Sequence, residues 1–407
     1  MNKLIMAGFL AWMCHQHCSA QQRITLQAAV DTALKNNLSL KSDRLNADYL
    51  QKVKGTAYVI PQTNASFEYG QINSAYSDNR ISLSQTIRFP TVYARQGSVY
   101  EQEWKSGVLT TAIRETELKK EVTQVYYNML YLREKQKLLE HSDSIFAEFL
   151  RNATLRLEKG ESNILEKTTA ETQAGQIGLQ LKALREDLAV LQWQLKELLN
   201  IGTDFVPADT VFKLPAPVVA DSTDVLTRHP YIRQLEQQQQ VSNARLRLEK
   251  AKLSPDLFAA FNTMTMKGTG ADNKNYAGSD RFQSFQVGVG LPIFTSAQRN
   301  LIAASRINGQ VARNNYEKGL QALRIKYRQA WEIYRKQQDA VAYYETSALK
   351  NADAIIRTAN QQFKGGQINY LDWVLLTNNA ITIQSEYVDA VRNLNLSIID
   401  INSLINQ

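Results

Sequence analysis

Apolar positions recur along this chain in two rhythms, and the switches between them mark out its elements. From Thr25 to about Val59, Leu26, Ala29, Val30, Ala33, Leu34, Leu38, Leu40, Leu45 and Leu50 keep a helical period behind a capping-type Thr25. A break falls near Asn36 and Asn37, and Pro61 ends the helix. The period then becomes two: Ala65, Phe67 and Tyr69 alternate with Ser66, Glu68 and Gly70, and Ile81, Leu83, Ile87 and Phe89 alternate with Ser82, Ser84, Thr86 and Arg88. These are two strands, over about 63–72 and 80–89, joined by a polar loop. After Pro90 the helical rhythm returns and lasts about 65 residues, a rod of ~100 Å at ~1.5 Å per residue. Globular helices average about 11 to 12 residues, so no ordinary compact domain holds it. The chain turns at Gly160 and runs back as a helix to about Asn200.

The same succession then repeats. A helix from Thr223 to Leu253, a terminator at Pro255, strands over about 256–266 and 284–292, and a rod from about Ala297 to Phe363 follow in order. Around the turns the copies match residue for residue: Gly160, Asn163, Leu165 and Glu166 reappear as Gly366, Asn369, Leu371 and Asp372, each shifted by 206. Upstream, Phe89 falls 205 before Phe294. The domains read as a signal peptide over 1–20, a first repeat over 21–205 with its turn at 157–166, a linker over 206–222, and a second repeat over 223–407 with its turn at 363–372. One structural unit used twice makes a pseudo-symmetric object.

The strands carry a functional reading. Phe285, Val287, Val289 and Leu291 alternate with Ser284, Gln286, Gly288 and Gly290, the pattern of a transmembrane β-barrel with a wet inside. A soluble antiparallel sheet is the plainer alternative. The strand at 256–266 blurs the pattern, since Phe258, Met264 and Met266 oppose Leu257 and Phe261. Four strands cannot close a barrel, and an open edge in lipid leaves costly unpaired backbone groups, so several copies must share one barrel. The aromatic runs at Tyr126, Tyr127 and Tyr131 and at Trp331 and Tyr334 sit at helical spacing and read as packed seams.

Composition narrows the chemistry. Met1 to Lys3 is positively charged, Leu4 to Cys14 is an apolar run of about eleven residues, and Cys18-Ser19-Ala20 is a small-residue cleavage site. Removal of this segment takes both cysteines with it and excludes disulfides and thiol chemistry. His141 and His229 remain, neither in a metal-ligand spacing, so no metal site or cofactor is expected. The net charge of +8 is spread along helix faces and gives no nucleic-acid stripe. No nucleophile elbow or phosphate loop is present, which points to a protein without catalytic residues.

In their order and duplication, the opening Ile24-Thr-Leu-Gln-Ala-Ala-Val, the helix-ending proline, Leu291-Pro-Ile-Phe294 and the two glycine turns followed by an acid resemble the TolC-type outer-membrane efflux factors. The resemblance covers essentially the whole mature chain. It implies a mainly α fold with a small antiparallel β part. As a homotrimer, the family forms a 12-stranded outer-membrane β-barrel continuous with a periplasmic α-helical barrel. It also implies a passive duct served by a periplasmic membrane-fusion adaptor and an inner-membrane pump, here of the resistance-nodulation-division class. The turns match the periplasmic tip, where the adaptor docks on Gly160, Glu161, Ser162 and Asn163 and on Gly366, Gln367, Ile368 and Asn369. Asp372 matches an acidic ring of the pore constriction and Glu166 the acid of the first hairpin; carboxylates facing a pore attract cations. The plainer reading is that both acids simply favour helix N-termini. Ile368 stands where some relatives carry a basic residue, and Leu375 where a second acidic ring can occur. Phe89-Pro-Thr-Val-Tyr-Ala94 is similar to members paired with heavy-metal pumps, against which stand drug export, type I protein secretion and, from another class, a secreted coiled-coil adhesin. The second turn carries Tyr370 and Trp373, which read as surface offered to an adaptor beside Asp372.

Overall fold

The computed structural model describes residues 22–72, 74–217 and 222–405. The signal peptide, the cleavage site and both cysteines lie outside them. The described chain is mainly helical with small sheets, as the two rhythms require.

Side-chain caps and prolines set the element ends. Thr25 Oγ1 accepts a hydrogen bond from the Ala28 amide at 3.3 Å and opens α1 (Leu26–Asn36). Asn37 makes the break: its Oδ1 accepts from the Leu40 amide at 3.1 Å and caps α2 (Leu38–Lys54), while its Nδ2 donates to the Leu198 carbonyl at 3.0 Å. A 3-10 turn over Gly55–Tyr58 precedes the first pair of strands. Pro90, whose missing N–H costs nothing in a first turn, starts the 69-residue α3 (Pro90–Glu158). Then come α4 (Ile164–Leu199), α5 (Ser222–Arg228), α6 (Pro230–Ala251), α7 (Ser296–Tyr343), a π-helical turn over Tyr344–Ala348, α8 (Leu349–Lys364) and α9 (Tyr370–Ile405). The strands are β1 (Gln22–Ile24), β2 (Asn64–Gly70), β3 (Asp78–Ile87), β4 (Phe205–Pro207), β5 (Asp256–Thr265), β6 (Gly268–Thr269), β7 (Asn275–Tyr276) and β8 (Arg281–Gly290).

Two compact units divide the chain, and each draws on both repeats. One takes the segment up to Lys41, Arg114–His229 and the chain from Leu323 onward; the other takes Ser42–Ile113 and Pro230–Ala322.

In the second unit, β2, β3, β5 and β8 form a four-stranded antiparallel sheet in that order, with β2 and β8 at its edges. Its register sorts the faces. Ala65, Leu83, Phe261 and Phe285 lie in one row across the strands, and Ser66, Ser82, Asn262 and Ser284 lie in the next. The apolar face is open: Phe285 and Val287 are each 72% exposed. Such a face is unfavourable in water at ~25 cal/mol per Å² and is at home against hydrocarbon. Pairing also settles the blurred strand. Leu257, Ala259 and Phe261 face the apolar side with Val289, Val287 and Phe285. Phe258 faces the other side opposite Gly288, where a Cβ would lie 3.5 Å from its ring. The missing side chain makes room for the aromatic one.

In the first unit, β1 pairs in parallel with β4. Beneath them Ala29, Ala33, Leu40, Val122, Tyr126, Met129, Leu130, Leu195 and Leu199 form one buried cluster. Tyr126 is fully buried, and its hydroxyl bonds the Asp209 carboxylate at 2.5 Å and lies 3.0 Å from the Ile24 carbonyl. Asp209 also accepts from the Leu26 amide at 3.1 Å, and Arg133 donates to the Asp209 carbonyl at 2.7 Å. Burial, then the adjacent carboxylate, raises the Tyr126 pKa, so the phenol stays neutral and donating. Further along, α3 and α9 are bridged by Lys120 with Asp400 at 2.7 Å, Asn128 with Arg392 at 2.8 Å, and Lys135 with Asp389 at 2.9 Å.

Tyr126→Phe removes a buried hydrogen bond to a charged group. The expected loss is about 1.5–3 kcal/mol in chemical denaturation, with faster amide exchange at Leu26 than in the wild-type protein.

Candidate functional site

Both chain reversals are built by the same hydrogen bonds. In the first, the Gly160 amide donates to the Leu157 carbonyl at 3.0 Å and the Glu161 amide to the Arg156 carbonyl at 2.9 Å. In the second, the Gly366 amide donates to Phe363 at 3.1 Å and the Gln367 amide to Gln362 at 2.8 Å. This paired closure needs a left-handed residue after the helix, and Gly160 and Gly366 take φ of 72° and 69°. Asn163 and Asn369 then start the return helices: Asn163 Oδ1 accepts from the Glu166 amide at 3.2 Å and Asn369 Oδ1 from the Asp372 amide at 2.9 Å. The repeated glycine, asparagine and acid are thus a helix stop, a helix start and a first-turn charge, which suits the positive end of the helix dipole.

The two acids differ in their partners. Glu166 accepts a short hydrogen bond from Ser162 Oγ and lies 3.4 Å from Arg156 Nη1, its side chain only 16% exposed. The positions matching Arg156 and Ser162 in the second copy are Gln362 and Ile368. Ile368 packs instead against the hydrophobic cluster under the turn. Asp372 is exposed, and its carboxylate has no hydrogen-bond or ion-pair partner among the described residues. Gly160, Glu161, Asn163, Gly366, Gln367 and Asn369 are all exposed, and Ser162 and Ile368 are half-buried. Around them Ile164, Leu165, Leu371 and Leu375 present apolar surface.

Tyr370 and Trp373 correct the sequence expectation. They are buried, not offered outward, because α3 supplies aromatic partners that lie more than 200 residues away in sequence. The Phe149 ring stacks on Tyr370 at 3.8 Å and on Trp373 at 4.6 Å, Phe363 packs against both, and Trp373 Nε1 donates to Asn360 Oδ1 at 2.7 Å. Burial first, and then the charge of Glu166, raises the Tyr370 pKa. The free acid therefore projects from a turn held by a rigid aromatic stack. The sequence signal for this aromatic cluster is the asymmetry of the copies: Leu157, Ile164 and Lys167 stand where the second turn has Phe363, Tyr370 and Trp373.

No group of His, Cys, Asp and Glu among the described residues is placed to hold a metal ion. No helix among them is long and apolar enough to cross a membrane.

Residues 222–407 match the model of a family described as outer membrane efflux protein. The chain is similar to the cobalt-zinc-cadmium resistance protein CzcC of Cupriavidus metallidurans, 21% identical over 354 residues that cover 86% of this chain and 82% of that protein. In fold it is similar to CusC, with a TM-score of 0.78 at 15% identity over 95% of this chain and 93% of that one. It is likewise similar to the Campylobacter jejuni outer membrane channel CmeC, with a TM-score of 0.78 at 15% identity over 93% of this chain and 85% of that one.

No atom lies within 4 Å of a Cβ added at Gly160 or Gly366, so the penalty for alanine there is conformational alone. Gly160→Ala and Gly366→Ala are each expected to cost about 1–2 kcal/mol in chemical denaturation, with the fold unchanged by circular dichroism.

Proposed function

We propose that this chain belongs to the outer membrane efflux protein family and forms a homotrimeric export duct whose second turn carries the cation-sensing constriction. The protein is an outer-membrane channel component with a periplasmic helical extension, and it works with an adaptor and an inner-membrane pump. It is a passive conduit and not an enzyme. The trimer is the finer reading: three copies of a four-stranded sheet supply twelve strands, and pairing the β8 edge of one copy with the β2 edge of the next satisfies the edge groups that lipid leaves unpaired.

The unpartnered carboxylate of Asp372 carries the constriction reading. A charge with no internal partner is free to meet a passing ion; one bonded to Arg156 and Ser162 is already compensated. Glu166 is assigned to holding the first turn together. The exposed loops Gly160–Asn163 and Gly366–Asn369, with the apolar rim of Ile164, Leu165, Leu371 and Leu375, form the adaptor's docking surface. The pump is of the resistance-nodulation-division class, and divalent heavy-metal cations are the exported substrate. The likeness to CzcC over most of both chains supports this substrate, and the exposed carboxylate of Asp372, one from each copy, suits it chemically. The 1–20 segment is a removed signal peptide.

In planar bilayers Asp372→Asn is expected to weaken divalent-cation block at least tenfold, and Glu166→Gln to change it less than twofold. Transplanting the first turn's partners as Gln362→Arg with Ile368→Ser should reproduce the Asp372→Asn phenotype, and native mass spectrometry of the same preparations should give three copies. Equal block in all variants overturns the constriction reading. In the native host, deleting the gene should sensitise cells to Co, Zn and Cd more than to a drug panel; drug sensitivity alone would reassign the substrate.

A further inference from the structure

The four-stranded sheet sorts its charges by face. Glu68, Asp78, Arg80 and Asp256 stand on the polar side with Ser66, Ser82, Asn262 and Ser284. On the apolar side Arg281 is the only charged residue among the described strand positions; it precedes Gln283 and Phe285 at the two-residue period and pairs with Thr265.

The rods fix the level of that charge. β3 runs on into α3 at Pro90 and β8 into α7 at Ser296, so the rod end of the sheet is its periplasmic end, and Arg281 lies at the opposite, outward end. From Arg281 to Leu291 an extended chain rises ~34 Å, or ~26 Å along the membrane normal at a tilt of ~40°, close to the apolar band of about 25 Å in outer-membrane barrels. With the exposed Leu291, Ile293 and Phe294 at the inner edge of that band, Arg281 stands at the outer edge. There the apolar face turns polar. Ile81, Thr263 and Gln283 form one row, and the pairs Tyr69 with Asn79 and Thr265 with Arg281 come last, joined by the Asn79 amide donating to Thr265 Oγ1 at 3.0 Å. Tyr69 is exposed, as aromatic residues at a membrane interface are. A cation on the lipid side is costly at the bilayer midplane and nearly free at this level.

Arg281 is both held and uncompensated. Its Nε donates to Thr263 Oγ1 at 2.9 Å, Nη1 to Asn79 Oδ1 at 3.0 Å and Nη2 to the Thr263 carbonyl at 3.3 Å. These bonds lay the guanidinium across β5 toward β3, and all of them end on neutral oxygens. One donor remains on each terminal nitrogen, which suits two oxygens of a phosphate. The acids at this end of the sheet are engaged elsewhere. Glu68 pairs with Arg80 at 3.0 Å, Asp280 accepts from the Ala277 amide at 2.7 Å, and Asp272 accepts from the Tyr276 hydroxyl at 2.8 Å. Asp78 accepts from the Lys267 amide at 2.9 Å and from the Thr265 hydroxyl at 3.1 Å. An exposed, pre-organised cation without an acid of its own is complementary to an anion supplied by the membrane.

We infer that Arg281 binds the phosphate of an outer-leaflet glycolipid, seated where the apolar face of the sheet ends. The acyl chains lie on Phe285, Val287 and Val289, and the exposed Gln283 and half-buried Asn79 offer hydrogen bonds to the sugars. This rests on the outer-membrane reading and not on the constriction.

The test is native mass spectrometry of the full protein in neutral detergent, titrated with lipid A or with lipid A stripped of its phosphates. The wild-type protein is expected to bind the phosphorylated lipid about tenfold more tightly, and millimolar inorganic phosphate should weaken that binding less than about twofold. Arg281→Gln should reduce the preference below about twofold, and Arg281→Lys, which keeps the charge and loses the planar fork, should retain an intermediate preference. Arg80→Gln, on the other face, should leave it unchanged, and circular dichroism should show the same fold in every variant. No preference in the wild-type protein, a full preference in Arg281→Gln, an equal loss in Arg80→Gln, or displacement by inorganic phosphate overturns the site. A chain that stays soluble without detergent overturns it together with the outer-membrane reading; a detergent-dependent chain without the preference overturns the site alone.

Discussion

Helical phase is the constraint on which this structure depends. A helix of 69 residues that buries one face must keep its apolar positions within a narrow stripe over about nineteen turns, at 3.6 residues per turn. An error of one residue turns that stripe by about a quarter of the circumference and brings charged groups to the seam. The buried positions of α3 hold the phase from Val99 to Ala153 without interruption. Along the matching rod of the second repeat the spacing of the copies grows from 205 at Phe89 and Phe294 to 206 at the turns, and the π-turn over Tyr344–Ala348 takes up the extra residue. Polar bridges to α9, such as those of Lys120 and Lys135, add a second restraint, because each aligns only one pair of turns.

Duplication then allows the two copies to diverge without loss of the fold. The tip turns share every backbone hydrogen bond that closes them, so their geometry is common property. What differs is what surrounds the acid. Arg156 and Ser162 convert Glu166 into an internal brace; Gln362 and Ile368 withdraw both partners and leave Asp372 exposed. The aromatic stack of Phe149, Tyr370 and Trp373 supplies by packing the rigidity that ion pairing supplies in the first copy. The chain thus carries one turn that is electrostatically closed on itself and one that is open to its surroundings.

Most of the architecture was legible because its signals are local. Periods of 3.6 and 2, a proline between the short helix and the strands of each repeat, and glycine, asparagine and acid at fixed spacing act within a few residues, and helix caps read the same way in any context. The strand at Asp256–Thr265 was ambiguous because its two faces both carry bulky residues. Only the register against β8 shows that Phe258 lies over Gly288. Tyr370 and Trp373 misled for the same reason: exposure depends on partners in α3 that no local pattern announces.

The chain by itself determined the element order, the duplication, the apolar and polar strand faces and the identity of both turns, since each follows from steric and hydrogen-bonding preferences of neighbouring residues. Tertiary structure alone decided which acid is braced and which is free, which aromatics are buried, and where the extra residue of the second rod is absorbed. Those outcomes depend on contacts between segments far apart in the chain. Distance in sequence carries no information about distance in space until the helices pack.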